Sequence, residues 1–395
     1  MNHVVVVGAG IVGLAVGARL AARGDQVTVL EKEPALALHQ TGRNSGVIHS
    51  GLYYAPGSLK ATMSAAGAKS MVTYARDHGI ATETCGKLVV ATDPSEVAGL
   101  HRLADRAVQN DIEARLLTPE EAHEYEPHVR CVAALRVEPT GIVDYPAVCR
   151  ALAAEILATG GEVLFEESFV AARTAGDRVQ VRTQRADREA DALVTCAGLH
   201  ADRVAAASGL EPEARIVPFR GEYFELTPEA SDLVRGLIYP VPDPRFPFLG
   251  VHLTRMTNGT VHAGPNAVLA LAREGYTWST VSPRDMADSL SWPGLWRLAR
   301  KNIVPGAAEV IRSMSARSFA RSLARLVPAI TAADIRPTAA GVRAQALRRD
   351  GSLVDDFLVQ SAPRQVHVIN APSPAATASL EIARHIVDQL DRVAA

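Results

Sequence analysis

The chain has little of what several classes of protein depend on. Only four of its 395 residues are cysteines, and Cys85, Cys131, Cys149 and Cys196 form no C-x-x-C pair. This spacing predicts neither a metal site nor a disulfide framework, and it suits a reducing cytoplasm. The formal net charge is only −2, so no overall positive field favours a nucleic-acid partner. What remains is the composition of a globular enzyme that is long enough for two domains.

Long apolar runs and targeting signals are also absent. No window of about 18 uncharged apolar residues occurs, so we expect no segment that spans a membrane. Met1, Asn2 and His3 lead directly into a strand pattern, without the basic stretch of a signal peptide. The sequence therefore predicts a cytoplasmic protein that contacts a membrane at most peripherally, at its inner face.

The N-terminal residues carry a nucleotide-binding pattern. An unbroken run of valines over residues 4–7 predicts a parallel strand buried on both faces. Gly8, Gly10 and Gly13 follow it as G-x-G-x-x-G. The first glycine permits a tight turn, the second lets the backbone approach a pyrophosphate, and the third allows close helix–strand packing.

The residues after these glycines complete the pattern. A helix over residues 12–23 and a second apolar strand, Gln26–Leu30, end at Glu31. The carboxylate of Glu31 can accept hydrogen bonds from both ribose hydroxyls, and it disfavours the 2′-phosphate of NADP. Strand, glycines, helix, strand and acid in this order predict a dinucleotide-binding βαβ unit.

Two later segments favour FAD over NAD. Residues 190–198 predict a buried strand whose Ala-Gly end passes close to the dinucleotide, and strands over 162–171 and 178–183 predict a βββ excursion before it. Near the C-terminus, a strand over 365–369 and a turn precede a helix over 375–390. The start of that helix offers free N–H groups to the anionic edge of a reduced flavin.

Longer runs cover most of the chain. They are TGRNSGVIHSGLYY over 41–54, VPFRGE over 217–222, IYPVPDPRFPFLGVHL over 238–253, GPNAVLA over 264–270, REGY over 273–276, GVRAQAL over 341–347, DGSLVDDF over 350–357 and NAPSPAATAS over 370–379. In these runs the chain resembles the D-amino-acid-oxidase-like flavoprotein superfamily, and within it the L-2-hydroxyglutarate oxidase/dehydrogenase family. The resemblance is far more specific than the glycine pattern.

The resemblance implies a fold, a cofactor and a reaction. The fold is α/β, with an FAD-binding, Rossmann-like (doubly wound) domain and a mixed-sheet α+β substrate domain. The reaction is FAD-dependent oxidation of L-2-hydroxyglutarate, or a similar small α-hydroxy acid, to the 2-oxo acid by hydride transfer to flavin N5. We expect a discontinuous FAD domain over 1–75, 145–215 and 335–395, and a substrate domain over 76–144 and 216–334.

The residues expected to contact FAD lie on the nucleotide-binding pattern, on the run that begins at Thr41, and on the two later segments. They are Gly8, Gly10, Ile11, Val12, Gly13, Glu31, Lys32, Thr41, Arg43, Asn44, Ser45, Gly46, Val170, Ala197, Gly198, Asn370, Ser373, Pro374, Ala375 and Ala376.

Oxidation of an α-hydroxy acid also needs a base for the hydroxyl proton. We choose His49, because the resemblance places its segment against the flavin ring and because an ordinary histidine pKa is close to neutral. His252 is the alternative base. Either residue could instead be a structural histidine, as we expect of His200 and His262.

The substrate carboxylate needs a cation, for which Arg343 is the first candidate. It stands in the G-x-R element that contributes a substrate-binding arginine in the superfamily, and a guanidinium fork binds a carboxylate through two parallel hydrogen bonds. The alternative role is a surface salt bridge. Further candidates are Arg255, Arg43 and Arg220, in that order, for the second cation that a five-carbon diacid needs, and Tyr54 and Tyr239 for a phenol hydrogen bond.

Two other functions stay open. An amino-acid or amine oxidase of the same superfamily would use the same arginine and would take the hydride from a carbon bonded to nitrogen. A flavin-bound interaction protein with an inactive site is the non-enzymatic alternative. We expect oxygen or a quinone as the electron acceptor, and the sequence alone leaves a carrier protein open as well.

One basic segment predicts a membrane contact. Residues 295–330 include seven basic residues and one acid. Arg317, Arg321 and Arg325 recur every four residues, with Phe319 and other apolar residues on another side, which predicts an amphipathic helix with a basic face. Such a helix can bind an anionic bilayer near a quinone pool. The alternative is that its apolar face packs into the substrate domain.

Overall fold

A computed structural model of the chain describes residues 2–243, 250–264, 267–301 and 315–394. Its strands are β1 His3–Val7, β2 Gln26–Leu30, β3 Val47–Ile48, β4 Thr82–Glu83, β5 Lys87–Ala91, β6 Ala114–Leu117, β7 Ala133–Val137, β8 Gly141–Val143, β9 Glu162–Leu164, β10 Phe169–Ala175, β11 Arg178–Thr183, β12 Asp187–Ala190, β13 Ala192–Thr195, β14 Arg215–Leu226, β15 Leu237–Pro240, β16 His252–Arg255, β17 Val261–Gly264, β18 Val268–Leu269, β19 Ile335–Leu347, β20 Leu358–Ala362 and β21 Gln365–Asn370. Its helices are α1 Ile11–Ala22, α2 Leu59–Asp77, α3 Val97–Gln109, α4 Pro119–Tyr125, α5 Tyr145–Ala158, α6 Ala201–Ala207, α7 Pro228–Ser231, α8 Pro283–Leu290, α9 Pro293–Lys301, α10 Ala316–Leu323 and α11 Ser379–Ala394.

A six-stranded sheet in the order β20-β21-β13-β1-β2-β9 carries the nucleotide-binding pattern. Its strands are parallel except for β20, which pairs antiparallel with β21. Val4 and Val6 pack among the helices α1, α2, α5 and α11 on one face, while Val5 and Val7 pack against β10 and β11 on the other. Burial on both faces explains the unbroken valine run, and the doubly wound architecture is confirmed.

The turn between β1 and α1 depends on its glycines. A Cβ on Gly8, which has φ +102, would lie 2.5 Å from the carbonyl oxygen of Cys196, and a Cβ on Gly13 would lie 2.0 Å from that of Gly8. No side chain fits at either position, so β1, α1 and β13 approach one another closely, as the pattern predicts.

A second, larger sheet stands beside the first. Nine of the described strands form it, in the order β18-β14-β17-β16-β15-β5-β7-β6, with β19 also paired to β14. Only the pairing of β5 with β15 is parallel, so the sheet is mixed, as expected. The smaller sheet β3-β8-β4 links the early segments of the chain. The domain boundaries given above stay a prediction.

Two sequence-based element boundaries need correction. The strand expected over 162–171 is two strands: β9 extends the six-stranded sheet, and β10 opens a separate meander with β11 and β12. The C-terminal helix begins at Ser379 rather than at Ala375. Pro372 and Pro374 hold a turn before it, in which Ala375 and Ala378 donate to their carbonyls, because proline cannot supply the N–H groups of a helix interior.

The predicted amphipathic helix exists as α10, and its apolar side is buried. Phe319 and Leu323 are fully buried in one core cluster with residues of β5, β16 and β17, which is the alternative stated above. This face is therefore not free to enter a bilayer. Residues 302–314 of the basic segment lie outside the described residues. Among the described helices, none combines the length and the apolar character that a membrane span needs.

Candidate active site

A cavity of about 1280 Å³ lies between the two large sheets. Its walls come from the β1–α1 turn, the segment after β2, the end of β13, strand β19 and the turn before α11. The FAD-contact candidates that line it are Gly8, Gly10, Ile11, Val12, Glu31, Lys32, Thr41, Arg43, Asn44, Ser45, Val170, Ala197, Gly198, Ser373, Pro374, Ala375 and Ala376. Distant parts of the sequence thus meet around one space.

One end of the cavity has the features of a dinucleotide cradle. Gly10 is the N-cap of α1 and has no side chain to cover the helix start, and a Cβ there would meet only the hydroxyl oxygen of Thr41, at 3.4 Å. The backbone N–H groups of Ala9 and Glu33 donate to the Glu31 carboxylate at 2.8 and 3.0 Å, which holds it at the end of β2. The N–H of Ile11 donates to the Thr41 hydroxyl at 3.2 Å, and this helix start beside a fixed carboxylate fits the pyrophosphate and ribose of FAD.

Three predicted contact residues lie behind this wall. Gly13 packs beneath the turn, and Gly46, with φ +64, sits against the carbonyl oxygen of Val143. The Asn370 side-chain amide is buried and donates to the carbonyl oxygens of Val354 and Asp356 at 2.8 and 2.9 Å. These residues shape the cavity wall without lining it, and their contact with the cofactor stays a prediction.

An ion network that the sequence did not reveal covers the same end. Lys32 contacts the carboxylates of Glu33 and Glu274, while His39 and His200 bond to Glu33 and Glu274 at 2.9 Å each. Burial alone would raise the pKa of Glu274, but bonds from His200 and Lys32 outweigh it and lower the pKa to about 2. The ammonium of Lys32 contacts both carboxylates of the group that Glu33, His39 and Glu274 form, and it offsets part of their negative charge. In the sequence, the run REGY, which contains Glu274, could have indicated this network.

The C-terminal turn is joined to the His49 segment by Thr377. The backbone N–H of His49 donates to the Thr377 hydroxyl at 3.0 Å, and the Tyr145 hydroxyl lies 3.0 Å from the same oxygen and donates to the carbonyl of Val47. Thr377 also lines the cavity. This threonine fixes His49 relative to the turn before α11, a role that no local pattern indicated.

The other end of the cavity brings together the predicted catalytic and carboxylate-binding residues. His49, His252, Arg343, Tyr54 and Tyr239 all line it. His252 on β16 stacks on Tyr239 of the neighbouring strand β15, with ring centroids 4.0 Å apart. Arg343 lies on β19, opposite Phe219 of β14.

Both histidines are held neutral. Burial, helped by the charges of Lys87 and His252, lowers the pKa of His49 to about 3. Burial lowers the pKa of His252 to about 4, with Arg343 and Lys87 acting in the same direction. The Nδ1 atom of His252 lies 2.9 Å from the carbonyl oxygen of Gly250. Because a carbonyl only accepts, Nδ1 carries the proton and Nε2 is the acceptor.

Two of the three candidates for a second cation lie outside the cavity. Arg255 is 41 % exposed and lies 3.9 Å from Glu83. Arg220 is buried, donates to Glu222 at 2.8 Å and stacks on Trp278. Neither lines the cavity, so the structure does not support their predicted role, which stays a prediction.

Arg43 lines the cavity, but its guanidinium is engaged. It donates to the carbonyl of Leu38 at 3.0 Å and lies over the Tyr276 ring at 4.0 Å. Tyr276 in turn bonds to His39 of the ion network. Arg43 therefore belongs to the dinucleotide end.

A buried lysine lies behind Tyr53 and Tyr239 without lining the cavity itself, and sequence reasoning did not single it out. Lys87 opens β5, whose residues are all buried, and burial lowers the pKa of its ammonium to about 7. Its Nζ lies 4.5 Å from the centroid of the Tyr53 ring and 5.0 Å from that of Tyr239. The signal was present: a lysine within an otherwise apolar strand.

Comparison with known proteins adds independent information. The sequence profile described as "FAD dependent oxidoreductase" matches residues 3–389. The chain is 45% identical over 384 residues to an L-2-hydroxyglutarate dehydrogenase of Indibacter alkaliphilus, covering 96% of each chain. It is 42% identical over 398 residues to the protein of that name from Escherichia coli K12, covering 100% of this chain and 94% of the other.

A solved structure supports the fold alone. It is an L-alpha-glycerophosphate oxidase from Mycoplasma pneumoniae with FAD bound, which superposes with a TM-score of 0.82 at 22% identity. The alignment covers 99% of this chain and 95% of that one.

Proposed function

Because the chain belongs to the FAD-dependent oxidoreductases, and within them to the L-2-hydroxyglutarate dehydrogenase family, we propose that it oxidises L-2-hydroxyglutarate, or a similar small α-hydroxy acid, to the 2-oxo acid. The observation that supports this most is the composition of one cavity. It joins a dinucleotide cradle to Arg343 and two neutral histidines.

The chemistry of the cofactor and of the side chains assigns a role to each. FAD, when bound, supplies the acceptor for the hydride that leaves the hydroxyl-bearing carbon. The guanidinium of Arg343 binds the carboxylate next to that carbon and so fixes its position. His49 accepts the hydroxyl proton; its lowered pKa keeps the imidazole unprotonated at neutral pH, and it also makes His49 a weaker base than an ordinary histidine.

His252 is the alternative base, since its Nε2 is the acceptor nitrogen. Its stacking on Tyr239 also suits a second role, in which the ring holds the substrate in place. The variants His49→Gln and His252→Gln separate the two roles. Loss of the base should lower kcat, whereas loss of a residue that positions the substrate should mainly raise KM.

The first experiment is anaerobic reduction of the FAD-loaded protein. Addition of L-2-hydroxyglutarate should bleach the visible absorbance of the flavin, whereas the D enantiomer and L-glutamate should not. Bleaching by L-glutamate or other amino acids, without a response to L-2-hydroxyglutarate, would favour the amino-acid oxidase alternative. No response to any of these compounds would favour the inactive interaction protein.

Arg343→Lys tests the carboxylate site. A lysine keeps the charge but loses the two parallel hydrogen bonds, so kcat/KM should fall by an amount equivalent to about 2–4 kcal/mol. Arg255→Lys is the matched control, because Arg255 lies outside the cavity, and its kinetics should match the wild type. Near-normal kinetics for Arg343→Lys would refute the assignment.

We further propose that a quinone, rather than oxygen, takes the electrons, because the relatives are named dehydrogenases. The exposed arginines of α10, Arg317 and Arg321, support an electrostatic contact with an anionic membrane at its inner, cytoplasmic face. Arg325 is paired with Glu96 at 3.1 Å, so Arg325→Glu is the control. The wild type should sediment with anionic vesicles, and added salt should weaken this binding. The double variant Arg317→Glu/Arg321→Glu should lose it. Equal recovery in the supernatant with anionic and neutral vesicles contradicts this contact.

A further inference from the structure

The segment between β18 and α8, residues 270–282, forms a closed loop on the second sheet. The N–H of Ser282 donates to the carbonyl oxygen of Leu271 at 3.0 Å, and the N–H of Ala270 donates to that of Pro218 at 2.9 Å. Compact loops whose ends are joined in this way are frequently functional. We call residues 270–282 the strap, because the segment leaves the second sheet and reaches the nucleotide-binding segments.

The strap is anchored by a buried ion pair. Arg273 is 2 % exposed, and both terminal nitrogens of its guanidinium contact the carboxylate of Asp202 on α6. One of them also donates to the carbonyl oxygen of Leu199 at 2.8 Å, and the backbone N–H of Arg273 donates to the Asp285 carboxylate at 2.9 Å. Breaking a buried ion pair leaves a charge without a partner, which is strongly destabilising. This anchor therefore stays in place.

The next residues of the strap are held by polar contacts that water can reach. The Glu274 carboxylate lies 2.7 Å from the Lys32 ammonium and 2.9 Å from Nε2 of His200, and the Tyr276 hydroxyl lies 2.7 Å from Nδ1 of His39. We call these three contacts the latch. The charged and histidine side chains of the latch are 27–35 % exposed. Ion pairs at such exposure are weak, because water can replace either partner. The latch can thus open while the anchor holds.

The latch lies between the cavity and solvent at the dinucleotide end. Its charged and histidine side chains line the cavity beside Glu31, whereas residues 277–281 of the strap are all exposed and line no part of it. Lys32 and His39 follow β2, and His200 follows β13, so the latch joins both nucleotide-binding segments to the second sheet. FAD that passes this edge of the cavity has to part these segments from the strap.

We propose that the strap is a gate for FAD, which the latch holds closed and which opens when FAD enters or leaves. Every bond of the latch is made within the chain, so opening costs the same whether FAD is inside the cavity or outside it. A weaker latch therefore speeds binding and release by the same factor and leaves the affinity unchanged. The gate does not depend on which substrate is oxidised, so a failure of the proposed reaction leaves it intact.

Glu274→Gln tests the gate, because it removes the charge that Lys32 and His200 contact and keeps the shape of the side chain. Release of FAD from the FAD-loaded protein is followed by flavin fluorescence after dilution into an excess of an unrelated apoprotein that captures free FAD. Binding is followed by mixing FAD with the full chain stripped of cofactor. Both rate constants should rise at least about fivefold, and the dissociation constant should stay within about twofold of the wild type.

Two further variants locate the effect. Tyr276→Phe removes the bond to His39 alone, so both rate constants should rise by a smaller factor. Glu225→Gln is the matched control, because Glu225 is a half-exposed acid of the same sheet that pairs with His262 at 3.5 Å, and neither residue lines the cavity. Its rate constants should equal those of the wild type.

The two rate constants together decide the inference. Faster release with an unchanged binding rate in Glu274→Gln overturns the gate, because Glu274 would then hold FAD in place rather than close the way to it. Unchanged rate constants overturn it as well. If Glu274→Gln does not fold, Tyr276→Phe carries the same test with the same outcomes.

Hydrogen exchange of the FAD-loaded protein gives a readout that does not involve FAD transfer. In Glu274→Gln the amides of the strap should exchange at least about fivefold faster than in the wild type, whereas those of β1 and α1 should keep their rates, because only the strap opens. An equal acceleration in β1 would mean a general loss of stability and would overturn the inference. Strap amides with wild-type exchange rates would also overturn it.

Discussion

Replacing Lys87 with methionine should stabilise the protein, by an amount that decreases as pH rises. Burial lowers the pKa of the ammonium from 10.5 to about 7 in the folded chain. In the unfolded chain the ammonium returns to water and to its ordinary pKa. Methionine is of similar length, adaptable and uncharged, so the variant removes the charge while it fills much of the same space.

The magnitude follows from proton linkage. Between pH 7 and 10.5 the unfolded wild type holds a proton at Lys87 that the folded state has largely lost, so wild-type stability rises with pH in this window. At about 1.4 kcal/mol per pKa unit, the cost of the buried charge is about 4 kcal/mol at about pH 7 and about 2 kcal/mol at about pH 9. The extra stability of Lys87→Met over the wild type should therefore be smaller at the higher pH.

Urea unfolding of the FAD-loaded proteins at the two pH values measures this difference. Packing changes caused by the substitution are the same at both values and cancel, leaving a decrease of about 2 kcal/mol. Lys60→Met is the matched control, since nearby Asp355 and Asp356 offset part of the burial of that lysine, and its decrease should be smaller. An advantage of Lys87→Met that does not vary with pH would refute the reasoning.

Three further predictions concern the cofactor, the base and the core. Glu31→Ala should weaken FAD binding by about 1–3 kcal/mol, through loss of charge-assisted bonds to the ribose; titration of the apoprotein measures this, and unchanged affinity removes Glu31 from the site. Because a protonated imidazole cannot accept a proton, kcat/KM should fall at acidic pH as the base becomes protonated. The midpoint of this fall should follow the lowered pKa of His49, about 3, or of His252, about 4. A midpoint near pH 6.5 contradicts a buried histidine base. Phe319→Ala should lower the free energy of unfolding, measured in urea, by about 3–5 kcal/mol. A decrease below about 0.5 kcal/mol would mean that α10 packs loosely and could present its apolar face elsewhere.

The nucleotide-binding half was predictable from the sequence because its determinants are local. The valine run, the three glycines and Glu31 follow one another along the chain, and each is required by contacts within one βαβ unit. Arg343 could be placed only by resemblance, since its neighbour Phe219 comes from a distant strand. The register between β14 and β19 carries no local signal.

The position of two candidate arginines outside the cavity has a simple geometric origin. Side chains alternate across a strand, so Arg255, three residues after His252 on β16, faces away from the cavity that His252 lines. Arg220 and Glu222 share one face of β14 and pair there. Alternation, applied to these strands, would have excluded both arginines. The contact of Lys87 with Tyr239 has no local signal, because β5 and β15, whose parallel pairing brings the two residues together, are far apart in the sequence.

The walls of the cavity have a consequence for the biosynthesis of the protein. The nucleotide-binding turn leaves the ribosome before Arg343, the turn at 373–376 and α11, because it precedes all of them in the chain. A nascent chain therefore contains the nucleotide-binding pattern before it can enclose FAD. The complete cavity, and with it the site for FAD, therefore forms only after both segments have been synthesised.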